Sequence, residues 1–307
     1  MCFDTTVPPR GYRWWYVDAL SEDGRQGLTI IAFIGSVFSP YYAWARERGE
    51  TDPTDHCGLN VALYGEGGKR WSLTERGRGR LQQGPDALVI GPSALSWDGR
   101  TLTIRIDETT VPIPTSLKGT VKITPHAITP GPYQLDEAGK HFWWPIGPCG
   151  HAEVAMEKPS RAWQGEAYLD SNWGSEPLED GFCQWDWSRS AHPEGAAILY
   201  DMQRRRGGNK TLALLFDREG NVRDFDVPAP APLPSTLWRV ARSTHCEVGS
   251  EARVLDTFED TPFYTRSLVA THLAGAPVKA VHESLSLDRF KTRWVKMLLP
   301  FRMPRLR

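Results

Sequence analysis

The chain has 307 residues, a formal net charge of -1 and 40% hydrophobic residues. This length suits two modest domains or one large domain, and the hydrophobic content supplies a core and argues against global disorder. Because binding to phosphate backbones needs a basic face, the near-neutral charge argues against a general nucleic-acid binder.

The cysteines and the N-terminus predict the cellular compartment. The five cysteines form no CxxC pair and are interpreted as reduced cytosolic thiols. The first residues, "MCFDTTVPPRGY", contain no apolar segment of signal-peptide length, and the apolar run "LTIIAFIG" is too short to span a bilayer. The sequence therefore predicts a cytoplasmic protein without an integral membrane segment.

Short strands separated by turns follow one another along the chain. Their β-branched and aromatic residues predict hairpins, and the spacing is typical of an antiparallel barrel or sandwich. The paired segments are 12–20 with 28–38, 59–65 with 70–76, 94–97 with 101–107, and 196–203 with 211–217. The segment "SPYYAWARERG" has a serine cap, a proline in its first turn and a glycine stop. It therefore predicts a helix over 39–49.

Two aromatic stretches in the middle of the chain contain an acid and a histidine. In "GEAYLDSNWG", Tyr168 and Asp170 are two residues apart, and in "KHFWWPIGP" the same spacing separates His141 from Trp143. Residues two apart share one face of a strand. If both faces look into one barrel, a carboxyl, an imidazole, a phenol and an indole converge on one apolar cavity.

Such a cavity favours acid chemistry on an alkene. Burial raises the pKa of a carboxyl group, so we expect Asp170 to hold a proton at neutral pH. The faces of Trp143 and Tyr168 would stabilise the carbocation formed by protonation, and His141 would position or deprotonate the water that adds. This scheme needs no metal and no organic cofactor.

A structural interpretation of the same residues stays open. An aspartate followed by Ser-Asn-Trp-Gly also forms an Asx turn at the end of a strand, and aromatic residues are common in barrel cores.

The neighbouring indoles of Trp144 and Trp173 are predicted to contact the substrate. The fragments "DHC", "CGH" and "THC" contain possible zinc ligands, but none has the paired spacing of a zinc site, so we predict no metal.

Two later segments allow more than one interpretation. Prolines at 228, 230, 232 and 234 form either a domain linker or a stiff loop within one domain. Residues 290–307 contain six Lys or Arg, no acid and several large apolar side chains. That composition fits either peripheral contact with a membrane surface or a final strand with an irregular end.

Several segments resemble one known family closely. They are "GYRWWYVDALSEDGRQGLTIIAFIGSVFSPYYAWARERG", "HCGLNVALYG" with "RWSLTERGR", and "GEAYLDSNWG" with "FCQWDWSR". Together they resemble the bacterial carotenoid 1,2-hydratases, also called hydroxyneurosporene synthases. The likeness runs over most of the chain and is weakest in its C-terminal third.

The resemblance implies both a fold and a reaction. The fold would be all-β, with two tandem lipocalin-like antiparallel barrels over 1–178 and 179–307, few short helices, and the active site in or beside the first barrel. The reaction would be a cofactor-independent hydration, by a hydro-lyase, of the terminal C1,C2 double bond of acyclic carotenoids such as neurosporene and lycopene. A His-x-Trp pair and a Tyr-x-Asp pair are the family's proposed catalytic residues. They match His141, Trp143, Tyr168 and Asp170, with Asp170 as proton donor.

Two other functions remain as alternatives. A non-catalytic lipocalin-like carrier of carotenoids or other isoprenoids needs the cavity but not the acid. An isoprenoid cyclase needs the same acid but leaves the mass of the substrate unchanged. The predicted partners are thus an acyclic carotenoid and a membrane surface, and no nucleic acid is expected. We expect a cytoplasmic protein that associates with the membrane peripherally.

Overall fold

The computed structural model describes residues 1–306 and consists mainly of β-strands. The strands are β1 (Tyr12–Ser21), β2 (Gln26–Ile34), β3 (Cys57–Gly65), β4 (Arg70–Arg76), β5 (Leu81–Gln83), β6 (Ala87–Ile90), β7 (Ser93–Trp97), β8 (Leu102–Thr109), β9 (Ser116–Pro125), β10 (Tyr133–Gln134), β11 (His141–Lys158), β12 (Arg161–Gly174), β13 (Phe182–His192), β14 (Gly195–Arg204), β15 (Asn209–Asp217), β16 (Val222–Asp224), β17 (Ala229–Pro232), β18 (Ser243–Cys246), β19 (Arg253–Asp260), β20 (Tyr264–Leu273), β21 (Ala276–Ser286) and β22 (Arg305–Leu306). The α-helices are α1 (Pro40–Glu47), α2 (Leu178–Gly181), α3 (Leu287–Phe290) and α4 (Arg293–Leu298), and 3-10 turns lie at Pro53–Asp55, Arg78–Arg80 and Leu299–Phe301. The prediction of a mostly β fold with short helices is confirmed.

The four hairpins and the early helix form where the local sequence predicts them. β1 pairs with β2, β3 with β4, β7 with β8 and β14 with β15, all antiparallel. Helix α1 begins after Ser39, whose hydroxyl accepts a 2.9 Å hydrogen bond from the backbone N–H of Tyr42, and Pro40 is its first residue. The cap satisfies an N–H that has no partner within the helix.

The chain forms two compact units. The first contains residues 1–134, residues 139–177 and the chain from residue 297 onward, and the second contains residues 135–138 and 178–296. A 13-stranded sheet in the first unit has the order β22-β4-β3-β2-β1-β12-β11-β9-β8-β7-β6-β5, with β10 paired to β11. A seven-stranded sheet in the second has the order β16-β15-β14-β13-β21-β20-β19, and β17 and β18 form a separate hairpin. The finer description as two barrels divided at residue 178 stays a prediction.

The central strands of the first unit are buried on both faces. Trp15 and Val17 of β1 and Leu169 of β12 belong to one large apolar cluster that also contains residues of β2, β3, β6 to β9 and β11. Because side chains alternate along a strand, Tyr16 and Asp170 project from the opposite face, and they are buried as well. The first unit therefore has an apolar face and a second buried face that carries aromatic and polar groups.

Buried ion pairs tie distant segments of the first unit together. A guanidinium nitrogen of Arg76 lies 2.7 Å from a carboxylate oxygen of Glu108, with both side chains buried. Burial raises the pKa of Glu108, although the cation beside it acts in the opposite direction. Near the end of the chain, β22 pairs with β4 in parallel, and the guanidinium of Arg305 contacts the fully buried carboxylate of Glu75.

The second unit contains a buried polar cluster between its sheet and the β17–β18 hairpin. Asp186 of β13 accepts hydrogen bonds from Ser284 and Gln184, and burial raises its pKa to about 7. The Nε2–H of His282 donates to the carbonyl of Ser243 at 2.7 Å, and burial lowers its pKa to about 4. Desolvation therefore favours the neutral form of both groups.

Candidate active site

Asp170 lies in the middle of β12, on the face opposite the apolar cluster. It pairs with Tyr16 of β1, and only 4% of its surface is exposed. Tyr168, two residues earlier, projects from the same face and is fully buried, while Leu169 between them joins the apolar cluster. The predicted common face of Tyr168 and Asp170 is thus present, and it lies on the second buried face of the sheet.

A hydrogen-bonded triad surrounds the carboxyl group of Asp170. The indole N–H of Trp143 donates to Oδ2 at 2.9 Å, and the hydroxyl of Tyr168 donates to the same oxygen at 2.8 Å. The indole N–H also lies 3.2 Å from the hydroxyl of Tyr168. The structure therefore brings three of the four predicted catalytic residues into one buried cluster.

The two donors define how this carboxyl group can act. Both hydrogen bonds end on Oδ2, so in the neutral acid this oxygen is the carbonyl and the proton belongs on Oδ1. When Asp170 gives up its proton, the same two donors strengthen against the carboxylate that forms. The arrangement suits an acid whose conjugate base is stabilised as the proton leaves.

A bulge in β11 lies beside Asp170. The regular pairing of β11 with β12 shifts between Trp144 and Gly147 and again before Gly150, and the interrupted stretch has the sequence "PIGPCG". Proline has no N–H to donate, so prolines at 145 and 148 cannot continue the ladder. The hydroxyl of Thr129 instead donates to the carbonyl of Pro145 at 2.7 Å. Asp170 thus lies across from a break in the ladder, where the sheet is bent rather than regular.

Aromatic rings enclose the triad. The ring of Tyr133 lies 5.5 Å from that of Trp143, and the ring of Tyr16 contacts Tyr168 edge-on at 6.0 Å. Electron-rich ring faces attract a positive charge, most strongly where water is excluded. The surroundings of Asp170 are therefore suited to a cationic intermediate.

His141 lies in a neighbouring cluster on the same face. It pairs with Gly174, which lies four residues beyond Asp170 along β12. The hydroxyl of Tyr12 lies 2.9 Å from its Nδ1, and a carboxylate oxygen of Glu176 lies 3.4 Å from its Nε2. The structure thus places His141 near the triad but in a separate set of contacts.

The two tryptophans predicted to bind substrate project from the other face of these strands. Trp144 packs against the apolar cluster and donates its indole N–H to the hydroxyl of Thr129 at 3.0 Å. The ring of Trp173 stacks on Phe142 at 5.5 Å, with the guanidinium of Arg13 over its face. The structure does not bring Trp144 or Trp173 together with Asp170.

Sequence reasoning did not single out Tyr12, Tyr16 or Glu176. The signal for the two tyrosines is present in "GYRWWYVD", where Tyr12, Trp14 and Tyr16 share one face of β1 by the same two-residue rule. Only the pairing of β1 with β12 shows that this face is the one that carries Asp170. Nothing in the local sequence around Glu176 indicates its contact with His141.

Two of the three fragments considered as zinc ligands, "DHC" and "THC", have histidines with other contacts. Nδ1 of His56 lies 2.9 Å from a carboxylate oxygen of Glu75, and Nε2 of His245 lies 3.0 Å from a carboxylate oxygen of Asp201. Among residues 1–306, no three His, Cys, Asp or Glu side chains are arranged to hold a metal ion. Within the same described range, no helix has the length and hydrophobicity needed to cross a membrane.

Comparison with known proteins gives a consistent set of matches. The model of the family described as carotenoid hydratase CrtC matches residues 30–307. An acyclic carotenoid 1,2-hydratase from Thiocapsa roseopersicina is 56% identical over 305 residues, which covers 99% of this chain and 75% of that protein. Another from Rubrivivax gelatinosus is 50% identical over 306 residues, with the same two shares, 99% and 75%.

A solved structure shares the fold. The crystal structure of kievitone hydratase from Nectria haematococca superposes with a TM-score of 0.58, covering 94% of this chain and 98% of that chain. At 9% sequence identity, this likeness concerns the fold alone.

Proposed function

This chain belongs to the carotenoid hydratase family CrtC, and we propose that Asp170 is the acid with which it hydrates an acyclic carotenoid. The chain is a carotenoid 1,2-hydratase and hence a hydro-lyase. The observation that carries the proposal for its mechanism is the buried triad, in which Trp143 and Tyr168 both donate to Oδ2 of Asp170.

The first step is proton transfer from Asp170 to C2 of the terminal double bond. The π electrons form the new C–H bond, and the positive charge remains on C1, which carries three carbon substituents. Trp143 belongs to the triad, Tyr133 and Tyr16 lie beside it, and the faces of these rings stabilise this cation. The hydrogen bonds to Oδ2 strengthen as the carboxylate forms, so they lower the barrier rather than only bind the ground state.

The second step is capture of the cation by water. The oxygen of water bonds to C1, one of its protons leaves, and the product is a tertiary alcohol that differs from the substrate by one water. His141 is the proposed base, because its fully buried imidazole lies on the same face of the sheet as Asp170. A solvent proton then restores the acid form of Asp170, so the cycle consumes only water.

Three finer features belong to the same proposal. Proton transfer and water capture need an acid, a base and a dry cavity, which supports an activity independent of any cofactor. The site would lie in an N-terminal lipocalin-like domain over 1–178, followed by a second over 179–307. The protein would be cytoplasmic and meet its substrate at a membrane surface.

Exposed apolar side chains near the end of the chain support the membrane contact. Phe301 is 75% exposed and Met297 is 68% exposed, while Met303, which follows them, is buried and Arg305 forms an ion pair with Glu75. This segment is anchored to the protein, and its exposed apolar side chains have Lys and Arg residues near them in the sequence. Such a surface suits insertion among anionic lipid headgroups.

The deciding experiment compares wild type with Asp170→Asn, using lycopene in liposomes and mass spectrometry of the pigment. Asparagine keeps the size of the side chain but has no acidic proton, so we expect at least a ~10³-fold loss of product one water heavier. Asp107→Asn, which changes an exposed carboxylate on β8, is the matched control and should keep wild-type turnover.

Each other outcome overturns the proposal in a recognisable way. Hydration by a folded Asp170→Asn protein would reject the acid. Bound lycopene without any product from wild type would indicate a carrier, and an isomer of unchanged mass would indicate a cyclase.

A further inference from the structure

Three residues from three neighbouring strands meet in one row of the sheet. Gly174 of β12 pairs with Tyr12 of β1 on one side and with His141 of β11 on the other. A Cβ atom on Gly174 would lie 2.6 Å from a ring carbon of Tyr12 and 2.8 Å from Nδ1 of His141. Because the central strand has no side chain at this point, the two flanking side chains can meet above it.

The contacts of His141 determine where its ring proton lies. Its Nε2 faces a carboxylate oxygen of Glu176 at 3.4 Å, and a carboxylate can only accept. Nε2 therefore carries the proton, and Nδ1 accepts the 2.9 Å hydrogen bond from the hydroxyl of Tyr12. Nδ1 is hydrogen-bonded to Tyr12 and Nε2 faces Glu176, so a proton reaches His141 through one of these two neighbours.

The three side chains form a path from the interior to the surface. Tyr12 and His141 are buried, whereas the side chain of Glu176 is 24% exposed and contacts the ammonium group of Lys140. The order Tyr12, His141, Glu176 therefore runs from the buried face of the sheet to solvent.

We propose that Tyr12, His141 and Glu176 form the path by which the proton of the attacking water leaves the site. The inference rests on the proposed hydration and adds two residues, Tyr12 and Glu176, to it. Tyr12 is the group that contacts the water, and Glu176 is a positioning residue that acts through His141. Gly174 makes the path possible, because any side chain there would separate Tyr12 from His141.

The proton balance is complete without any further reactant. As the oxygen of water bonds to C1, its proton passes to the oxygen of Tyr12, and the hydroxyl proton of Tyr12 passes to Nδ1 of His141. The imidazolium that results is stabilised by the carboxylate of Glu176. Its Nε2 proton then leaves through Glu176 to solvent, and a proton from solvent returns to Asp170.

Asp170 and the Tyr12–His141 pair lie at different positions along the same face of the sheet. Asp170 and Gly174 are four residues apart on one strand face, which corresponds to about 13 Å between Cα atoms. The row between them holds Trp14, Asn172 and Trp143. The end of the carotenoid and the attacking water would lie over this middle row, with the acid on one side and the path on the other.

The first test is the hydration rate of Tyr12→Phe. Removing the hydroxyl interrupts the path but leaves the ring, so we expect kcat to fall about 100-fold while KM stays unchanged. Tyr42→Phe is the matched control, because it removes another buried tyrosine hydroxyl of the first unit, one that donates to the carbonyl of Gly11. Equal rates for the two variants would overturn the inference.

The second test is the pH profile of Glu176→Gln. The path works only when His141 is neutral, and the carboxylate of Glu176 stabilises its protonated form. Removing that charge should therefore move the acidic limb of kcat/KM to lower pH by about one unit. Glu153→Gln, an exposed position on β11, should leave the limb in place, and an unmoved limb in Glu176→Gln would reject its role.

The two proposals fail separately. If wild type forms no hydrated product, or Asp170→Asn still forms it, the proposed acid mechanism is wrong. If wild type hydrates the substrate, Asp170→Asn does not, and Tyr12→Phe matches Tyr42→Phe, only the proton path is wrong.

Discussion

Replacing Asp186 by Asn is expected to make the stability of the second unit strongly dependent on pH. Asp186 and His282 are both buried in its polar cluster, and burial shifts their pKa values in opposite directions, to about 7 and about 4. In wild type the two titrations change the free energy of unfolding in opposite directions over a shared range of pH. The substitution removes the contribution of Asp186.

The sign follows from which state binds the extra proton. Between its unfolded pKa of 3.8 and its folded pKa of about 7, Asp186 is protonated only in the folded state. The free energy of unfolding therefore falls by about 1.4 kcal/mol per pH unit as the pH rises. Between about 4 and 6.5, His282 is protonated only in the unfolded state, so it gives an equal and opposite slope. The two slopes cancel from about pH 4 to pH 6.5.

In Asp186→Asn only the slope of His282 remains. The second unit should then lose about 3 kcal/mol of unfolding free energy as the pH falls from 6.5 to 4. Asp201 and His245 also belong to the cluster, and the carboxylate of Asp201 raises the pKa of His245 against the effect of its burial. The stability that His245 contributes is complete below pH 6.5 and is lost as the pH rises above that value, outside this window.

Hydrogen exchange measured by mass spectrometry provides the assay, because peptides from β13 and β21 report the opening free energy of this sheet alone. The opening free energy of wild type should not change between pH 4 and 6.5, whereas that of Asp186→Asn should fall as the pH falls. In the double variant Asp186→Asn with His282→Gln, the opening free energy should again be independent of pH. Parallel profiles for wild type and Asp186→Asn would refute the reasoning.

Three further predictions concern the first unit. Arg76→Met leaves a buried carboxylate without its cation and should lower the free energy of unfolding by about 3–5 kcal/mol. Arg78→Met, which breaks an exposed pair, should lower it by less than about 1 kcal/mol. Urea denaturation measures both values. Changing Phe301 and Met297 together to serine should weaken cosedimentation with anionic vesicles about tenfold without lowering the melting temperature, and unchanged binding would count against the membrane contact. Gly174→Ala should lower kcat because the methyl group forces two facing side chains apart, and a wild-type rate would contradict that geometry.

Local pattern was enough to predict the hairpins and the first helix. The sequence "LYGEGGKRW" has large apolar residues on both sides of a glycine-rich turn, and Gly65, Gly67 and Gly68 all adopt positive φ. Ser39 and Pro40 define the start of α1 by their own chemistry. These features depend on interactions between residues close in sequence, and such interactions can be predicted from a single chain.

The composition of the site was only partly predictable, because long-range register decides it. The two-residue rule shows that Tyr168 and Asp170 share a face, but not which of the two buried faces it is. Trp144 and Trp173 are adjacent in sequence to site residues, yet alternation places them on the opposite face. Tyr12 reaches the site only through the pairing of β1 with β12, in which it meets Gly174, 162 positions later in the sequence. No local pattern encodes that partner.

The parallel pairing of β22 with β4 has a consequence for biosynthesis. Arg305 and Glu75, which form a buried ion pair, are separated by 230 positions, so a ribosome adding 5–20 residues per second makes them roughly 10–50 s apart. During that time β4 pairs with β3 but is open on its other side, and the buried carboxylate has His56 as its early partner. The first unit therefore completes its sheet only after β22 has left the ribosome, and until then β4 presents an open edge that can pair with other chains.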